Sequence, residues 1–245
     1  MTVKRGGQAL LQCDARGDPP IHLQWTHNMK RVDLSTYRIS VSEKRLESGV
    51  SSQLTVAHAE RQDSGVYRCR AENSYGRDEL LIYLAVQEFP EAPVGVHVSR
   101  RGGRGATLAW RRGHDGNARV ALYRLQYRVL GDTAPRAGDW ADAPTRDVSI
   151  DRIHEKQDPE SAGDPMVLLE YRVEGLRPAT AYALRLAAVN AIGDSPYSDP
   201  VVVHTLEEAP SEPPHNVQVQ PTAPGELLIK WQAPPQESWN GEVLG

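Results

Sequence analysis

The chain has 245 residues, with 28 basic and 32 acidic side chains and a formal net charge of -4. For domains of about 100 residues, this length allows roughly two domains and a remainder. The near-neutral charge disfavours nucleic acid as the main partner. No stretch approaches the roughly 18 apolar residues of a membrane span, and no secretory signal opens the chain. The sequence therefore predicts neither insertion nor export for this stretch by itself.

The first third of the chain contains both cysteines. Cys13 is followed by Trp25 and then by Asp63-Ser-Gly-Val-Tyr67-Arg-Cys69. This order, with a tyrosine two residues before the second cysteine, resembles the immunoglobulin sandwich. The resemblance implies a disulfide between Cys13 and Cys69 across two sheets, a buried Trp25 and a corner formed by Tyr67. Because a structural disulfide needs an oxidising compartment, we expect an extracellular location and a longer secreted or membrane-anchored parent chain.

Residues 1–87 are predicted to form this I-set immunoglobulin domain. Apolar residues alternate with polar ones, as in half-buried strands, for example at Ala9, Leu11 and Cys13. The residues before Gln8 are too few for a full first strand, so we expect that edge to be incomplete. We also expect Asp63 to have a structural role and to pair with a cation such as Arg38.

Residues 88–208 are predicted to form a second sandwich without cysteine. A linker, Glu88–Pro93, precedes it, and its two prolines limit the hinge without forming structure. Trp110 lies on a strand with alternating apolar residues. The run Leu-Arg-Pro-Ala-Thr-Ala-Tyr182 resembles the fibronectin type III module, in which the tyrosine forms a corner. The charged insertion Asp151–Pro165 is predicted to be a mobile surface loop.

Residues 209–245 follow a second proline-containing linker and are predicted to form the first two strands of another type III module. Val217 alternates with Val219, and Leu227 with Ile229 and Trp231. Two strands cannot bury Trp231, so we expect this truncated module to be unstable in isolation. The predicted fold class is thus all-β, with tandem β-sandwiches: one immunoglobulin domain, one complete type III domain and one truncated type III domain.

Several short motifs resemble the Down syndrome cell adhesion molecule (Dscam) family in the same order. They are Ala15–Ile21, Ala59–Gly65, Val86–Pro90, Asp115–Asn117, Ala188–Gly193, Glu207–Ser211 and Trp239–Gly245. The resemblance implies a single-pass surface receptor of neural or immune cells that recognises copies of itself. It also implies that the main self-recognition surfaces lie in more distal immunoglobulin domains. We therefore expect this stretch to act as a spacer, with a lateral contact surface toward the same or neighbouring receptors.

A basic cluster is the candidate binding site. Arginine side chains fork onto anionic oxygens, so a cluster of them on neighbouring strand ends predicts binding of sulfated glycans. A solvated hairpin is the alternative interpretation. The cluster consists of Arg100, Arg101, Arg104, Arg111 and Arg112.

The sequence predicts no enzyme, no cofactor and no metal site. It has no Ser-His-acid set with an elbow motif and no glycine-rich phosphate loop, and both cysteines belong to the bridge. Two other functions stay open beside adhesion. The stretch could come from the ectodomain of a receptor tyrosine phosphatase, or from an intracellular muscle filament protein in which the two cysteines would stay reduced.

Overall fold

The computed structural model describes residues 1–130, 140–157 and 167–242. Strands and a few short 3-10 turns are the regular elements of these ranges, so the predicted all-β class is confirmed. The chain folds into two compact units. The first comprises Met1–Glu91 with two short later segments, His114–Val120 and Val189–Asp194; the second comprises Ala92–Gly113, Ala121–Ala188 and Ser195–Gly245.

The first unit is a sandwich of two sheets with orders β1-β8-β7-β3-β4 and β2-β6-β5. Its core follows the period-two pattern of the sequence: Ala9, Leu11 and Cys13 on one strand are at most 4% exposed. The strands are β1 (Thr2–Lys4), β2 (Ala9–Arg16), β3 (His22–His27), β4 (Lys30–Arg31), β5 (Ile39–Leu46), β6 (Gly49–Val56), β7 (Gly65–Asn73) and β8 (Gly76–Gln87).

The first strand of this unit is short. Only three residues form β1, which runs parallel to β8 with Thr2 opposite Ala85. In the ranges that the structure describes, β2 is hydrogen-bonded to β6 and its other edge is unpaired.

The second unit contains two four-stranded sheets, β13-β14-β10-β9 and β12-β11-β15-β16, and a hairpin, β17-β18. Trp110 and Tyr123 are each 1% exposed, and their ring centroids lie 5.1 Å apart. The strands are β9 (Val94–Arg101), β10 (Gly105–Arg111), β11 (Leu122–Val129), β12 (Thr145–Ser149), β13 (His154–Gln157), β14 (Val167–Glu174), β15 (Ala181–Val189), β16 (Val201–His204), β17 (His215–Ala223) and β18 (Glu226–Gln232).

The charged insertion differs from its prediction as a loop. Its first part forms a 3-10 turn and then strand β13, which pairs with β14 from His154 opposite Glu170 to Gln157 opposite Val167. A charged segment can extend a sheet at its edge because backbone hydrogen bonds, not apolar side chains, hold it there. The rest of the insertion, from residue 158 onward, lies outside the described residues.

The last segment forms the two predicted strands. They pair as a hairpin with Val219 opposite Ile229. Trp231 remains 55% exposed, in agreement with the expectation that two strands alone cannot bury it. The instability of this segment in isolation stays a prediction.

Candidate functional site

The two cysteines form the expected disulfide. Cys13 on β2 and Cys69 on β7 are covalently joined, with their Cα atoms 6.4 Å apart, so the bond connects the two sheets of the first unit. Trp25 lies opposite Cys69 on β3, is 5% exposed, and donates its indole N–H to Ser52 Oγ at 2.9 Å. The indole is therefore buried with its polar group satisfied.

The corner before β7 is held by Tyr67 and Asp63. The Tyr67 hydroxyl donates to the backbone oxygen of Asp63 at 3.0 Å, and burial, with the nearby Asp63 charge, raises the pKa of Tyr67 to about 12. Arg38 Nη1 lies 2.8 Å from Asp63 Oδ2, so the predicted ion pair is confirmed. The same carboxylate accepts the backbone N–H of Glu60 at 2.7 Å. These contacts stabilise the corner, so the structure gives Asp63 and Tyr67 structural roles.

The second unit has an equivalent corner without a disulfide. The Tyr182 hydroxyl accepts the backbone N–H of Arg177 at 2.8 Å, and the tyrosine is 4% exposed. Trp110 fills the core of this unit. The structure therefore places both residues singled out by the sequence in buried, structural positions.

Arg185 is a further element of the second unit that sequence reasoning missed. Its guanidinium carbon lies 4.3 Å from the centre of the Trp140 ring and 4.2 Å from that of Tyr197, so the cation is stacked between two aromatic faces. Its Nε donates to Gln126 Oε1 at 2.9 Å, and burial lowers its pKa. The three residues are far apart in sequence, so no local motif could have indicated the stack.

Side-chain ion pairs hold the first half of the predicted linker. Glu88 is 6% exposed, and its carboxylate lies between Arg5 and Arg61 within the first unit. Arg61 also contacts Glu91 at 2.7 Å, and this hydrogen bond is the main cause that lowers the pKa of the Glu91 carboxyl. Residues 88–93 form no strand or helix, and these side-chain contacts hold residues 88–91 within the first unit.

Two asparagines hold the later segments of the first unit against this stretch. Asn190 is 6% exposed and donates from Nδ2 to the backbone oxygens of Glu88 at 2.8 Å and Asp115 at 2.9 Å. Asn117 donates from Nδ2 to the backbone oxygen of Val86 at 2.9 Å. Asparagine suits such positions because its amide bonds to backbone in turns. In the sequence, both asparagines stand in motifs that resemble the Dscam family, and neither motif indicates these contacts.

Gly116 completes this arrangement. Its φ is +70°, and a Cβ added there would lie 2.2 Å from the backbone oxygen of Glu88. Both the left-handed conformation and the close backbone approach require glycine.

The arginines predicted as one patch lie at two ends of the β9-β10 ladder. Arg100 is opposite Thr107 and Arg101 opposite Ala106, whereas Arg111 is opposite Val94. Five residues of strand separate Arg111 from Ala106, which corresponds to about 17 Å. In the described part of the chain, Arg100 pairs with Glu170 at 3.7 Å, Arg104 with Glu208 at 2.8 Å and Arg112 with Glu155 at 2.7 Å.

A search of the described residues finds no group of three or more His, Cys, Asp or Glu side chains that could hold a metal ion. No helix within those ranges is long and apolar enough to cross a membrane.

Comparison with known proteins assigns both domain types. The immunoglobulin I-set domain family matches residues 1–86, and the fibronectin type III domain family matches residues 91–204. A crystal structure of titin domains has a TM-score of 0.44 at 24% identity and covers 84% of this chain and 61% of that one.

Among curated proteins, similarity extends over the whole chain. The cell adhesion molecule Dscam1 of Drosophila melanogaster is 36% identical over 245 residues, which is 100% of this chain and 11% of that protein. The cell adhesion molecule DSCAM of Homo sapiens is 30% identical over 242 residues, which is 98% of this chain and 11% of that protein. The chain therefore spans about a tenth of the length of these relatives.

Proposed function

Because this chain belongs to the Dscam family, as an immunoglobulin I-set domain followed by fibronectin type III sequence, we propose that it is an extracellular part of a cell-surface adhesion receptor. The observation that carries this proposal is similarity along 98–100% of the chain to proteins named cell adhesion molecules. The disulfide between Cys13 and Cys69 supports the extracellular location, since such bonds persist in oxidising compartments. The parent chain is membrane-anchored and single-pass in this proposal.

Within the receptor, this stretch acts as a spacer that also offers a lateral contact surface. We take residues 1–87, 88–208 and 209–245 as its three domains. The contacts of residues 88–91 support the spacer role. The buried Glu88 carboxylate pairs with two arginines, and the backbone oxygen of Glu88 accepts a hydrogen bond from Asn190. A segment held in this way restricts backbone rotation more than a solvated linker does.

We also propose that the full receptor recognises copies of itself on other cells. Cells that express the full receptor should aggregate. Aggregation of cells whose receptor lacks residues 1–208 measures the contribution of this stretch. We expect the purified fragment, with its second type III module completed, to sediment mainly as a monomer in analytical ultracentrifugation. A tight dimer of the fragment would contradict the spacer role, because it would mean that this stretch itself carries a self-recognition surface.

The two alternative functions make different predictions. A receptor tyrosine phosphatase would carry a catalytic domain beyond the membrane, which the sequence downstream of Gly245 would show. An intracellular filament protein would keep Cys13 and Cys69 reduced, so a thiol assay on native protein would count two free thiols. We expect none.

A further inference from the structure

The outer face of sheet β13-β14-β10-β9 presents cations from three strands. Side chains alternate along β10, so Leu108 and Trp110 point into the core and Thr107 points outward. The strand register places Arg100 of β9 opposite Thr107 and Arg172 of β14 opposite Thr107 on its other side. Two strand spacings of about 4.8 Å separate the arginines, so their backbones lie about 10 Å apart.

The buried carboxylate of Glu170 pairs with two of the cations on this face. Lys156 Nζ of β13 lies 2.5 Å from Glu170 Oε2, and Arg100 Nη2 lies 3.7 Å from the same oxygen. The Glu170 side chain is 10% exposed, whereas those of Lys156 and Arg100 are 51% and 72% exposed. The hydrogen bond from Lys156 lowers the pKa of Glu170, which is therefore ionised at neutral pH. One negative charge thus lies beneath two positive charges that face solvent.

A groove of about 330 Å³ opens on the same face. Arg100, Arg101, Thr107, His154, Glu170 and Arg172 are among the residues that line it. Arg172 pairs with the exposed Glu174 at 3.2 Å, and both side chains are more than 70% exposed. Such exposed pairs contribute at most about 1 kcal/mol, so an anion in the groove can compete for the guanidinium group.

We propose that this cationic face, defined as Arg100, Arg101, Lys156 and Arg172, binds the sulfate groups of a sulfated polysaccharide. The charge excess and the spread of the cations over an open sheet suit a ligand that carries several separated anionic groups. None of the residues lining the groove is a large exposed apolar side chain that could insert into a lipid surface. This inference goes beyond adhesion and does not depend on it. It also differs from the five-arginine patch, because it includes Lys156, which shares Glu170 with Arg100, and Arg172, which lies opposite Thr107.

The test measures heparin binding by surface plasmon resonance at physiological salt. The double variant R100Q/R172Q should raise Kd about tenfold or more, because it removes two charge-assisted contacts. The matched control R45Q/R77Q removes two exposed arginines of the first unit and should change Kd less than about twofold. Thermal melting shows whether each variant is folded; should R100Q/R172Q unfold, K156Q on the edge strand β13 replaces it and should weaken binding.

A second variant predicts a change in the opposite direction. Glu170→Gln removes the negative charge beneath the face and should strengthen heparin binding severalfold. The proposal is overturned if wild-type protein does not bind heparin, if R104Q/R112Q weakens binding as much as R100Q/R172Q, or if E170Q does not strengthen it. Binding to phosphatidylserine vesicles without binding to heparin would also overturn it. Because these measurements use purified protein, they are independent of cell aggregation, so each proposal can fail without the other.

Discussion

Replacing Asn190 by alanine should destabilise the first unit far more than an ordinary surface change. The side chain makes four hydrogen bonds: Nδ2 donates to the backbone oxygens of Glu88 and Asp115 at 2.8 and 2.9 Å, and Oδ1 accepts from the backbone nitrogens of Ile192 and Gly193 at 2.8 and 3.1 Å. Asn190 is 6% exposed, so water replaces these partners poorly. At about 1 kcal/mol for each bond, the loss is about 4 kcal/mol.

This loss should appear as a lower urea midpoint. With an m value of about 1.5 kcal/mol/M for a domain of this size, the midpoint of the first unit should fall by between about 2 and 3 M. Hydrogen exchange followed by mass spectrometry on peptides from β7 assigns the transition to this unit. The slope m should stay unchanged, because the variant does not alter the surface exposed on unfolding.

Asn73→Ala is the matched control. Asn73 makes three similar bonds. Its Nδ2 donates to the backbone oxygen of Asp18 at 3.0 Å, and its Oδ1 accepts from the backbone nitrogens of Tyr75 and Gly76 at 3.0 and 3.1 Å. These bonds lie at the surface, where water substitutes for the lost partner, so we expect a loss of about 1 kcal/mol. Equal losses for the two variants would refute the reasoning, because they would mean that the burial of Asn190 has no energetic consequence.

Three further predictions concern the same domains. Reduction of the disulfide, which closes a separation of 56 residues, should destabilise the first unit by about 4 kcal/mol and leave the second unchanged, as measured by urea unfolding with and without reductant. Burial raises the folded-state pKa of Tyr67 from 10.0 to about 12. The contribution of Tyr67 to the stability of the first unit is therefore complete below about pH 10 and is lost as pH rises toward 12. Urea midpoints measured across this range should fall for the wild type, and Tyr67→Phe should remove that fall. Gly116→Ala should lower the free energy of unfolding by about 2 kcal/mol or more, because Gly116 has a positive φ and lies close to the backbone of Glu88. Gly76→Ala has open space at the Cβ position and should lower it by less than about 1 kcal/mol. Thermal melting of the two variants measures the difference.

Local periodicity was sufficient for the all-β class, whereas the disulfide followed from the resemblance of the Cys13, Trp25 and Cys69 order to the immunoglobulin sandwich. A strand exposes alternate residues to one face, so the pattern of Ala9, Leu11 and Cys13 indicates both the strand and its buried side. Tyr67 lies four residues from Asp63, the residue whose backbone oxygen it contacts, so this corner is visible in a short motif. The partner of Asp63 could be named from sequence only as a cation such as Arg38, and the structure confirms that pair at 2.8 Å.

The contacts that distinguish this chain depend on residues far apart in sequence. Asn190 and Glu88 are separated by 102 positions, and nothing near either residue indicates that they meet. The charged residues of the edge strand β13 lack an apolar pattern, which predicts a loop, yet the backbone of β14 supplies its hydrogen bonds. The sequence by itself determined the strands that alternate apolar with polar residues and the sides on which they are buried, since these depend on local periodicity. Only the tertiary structure decided which charges and amides meet, because strand register and chain reversal bring them together.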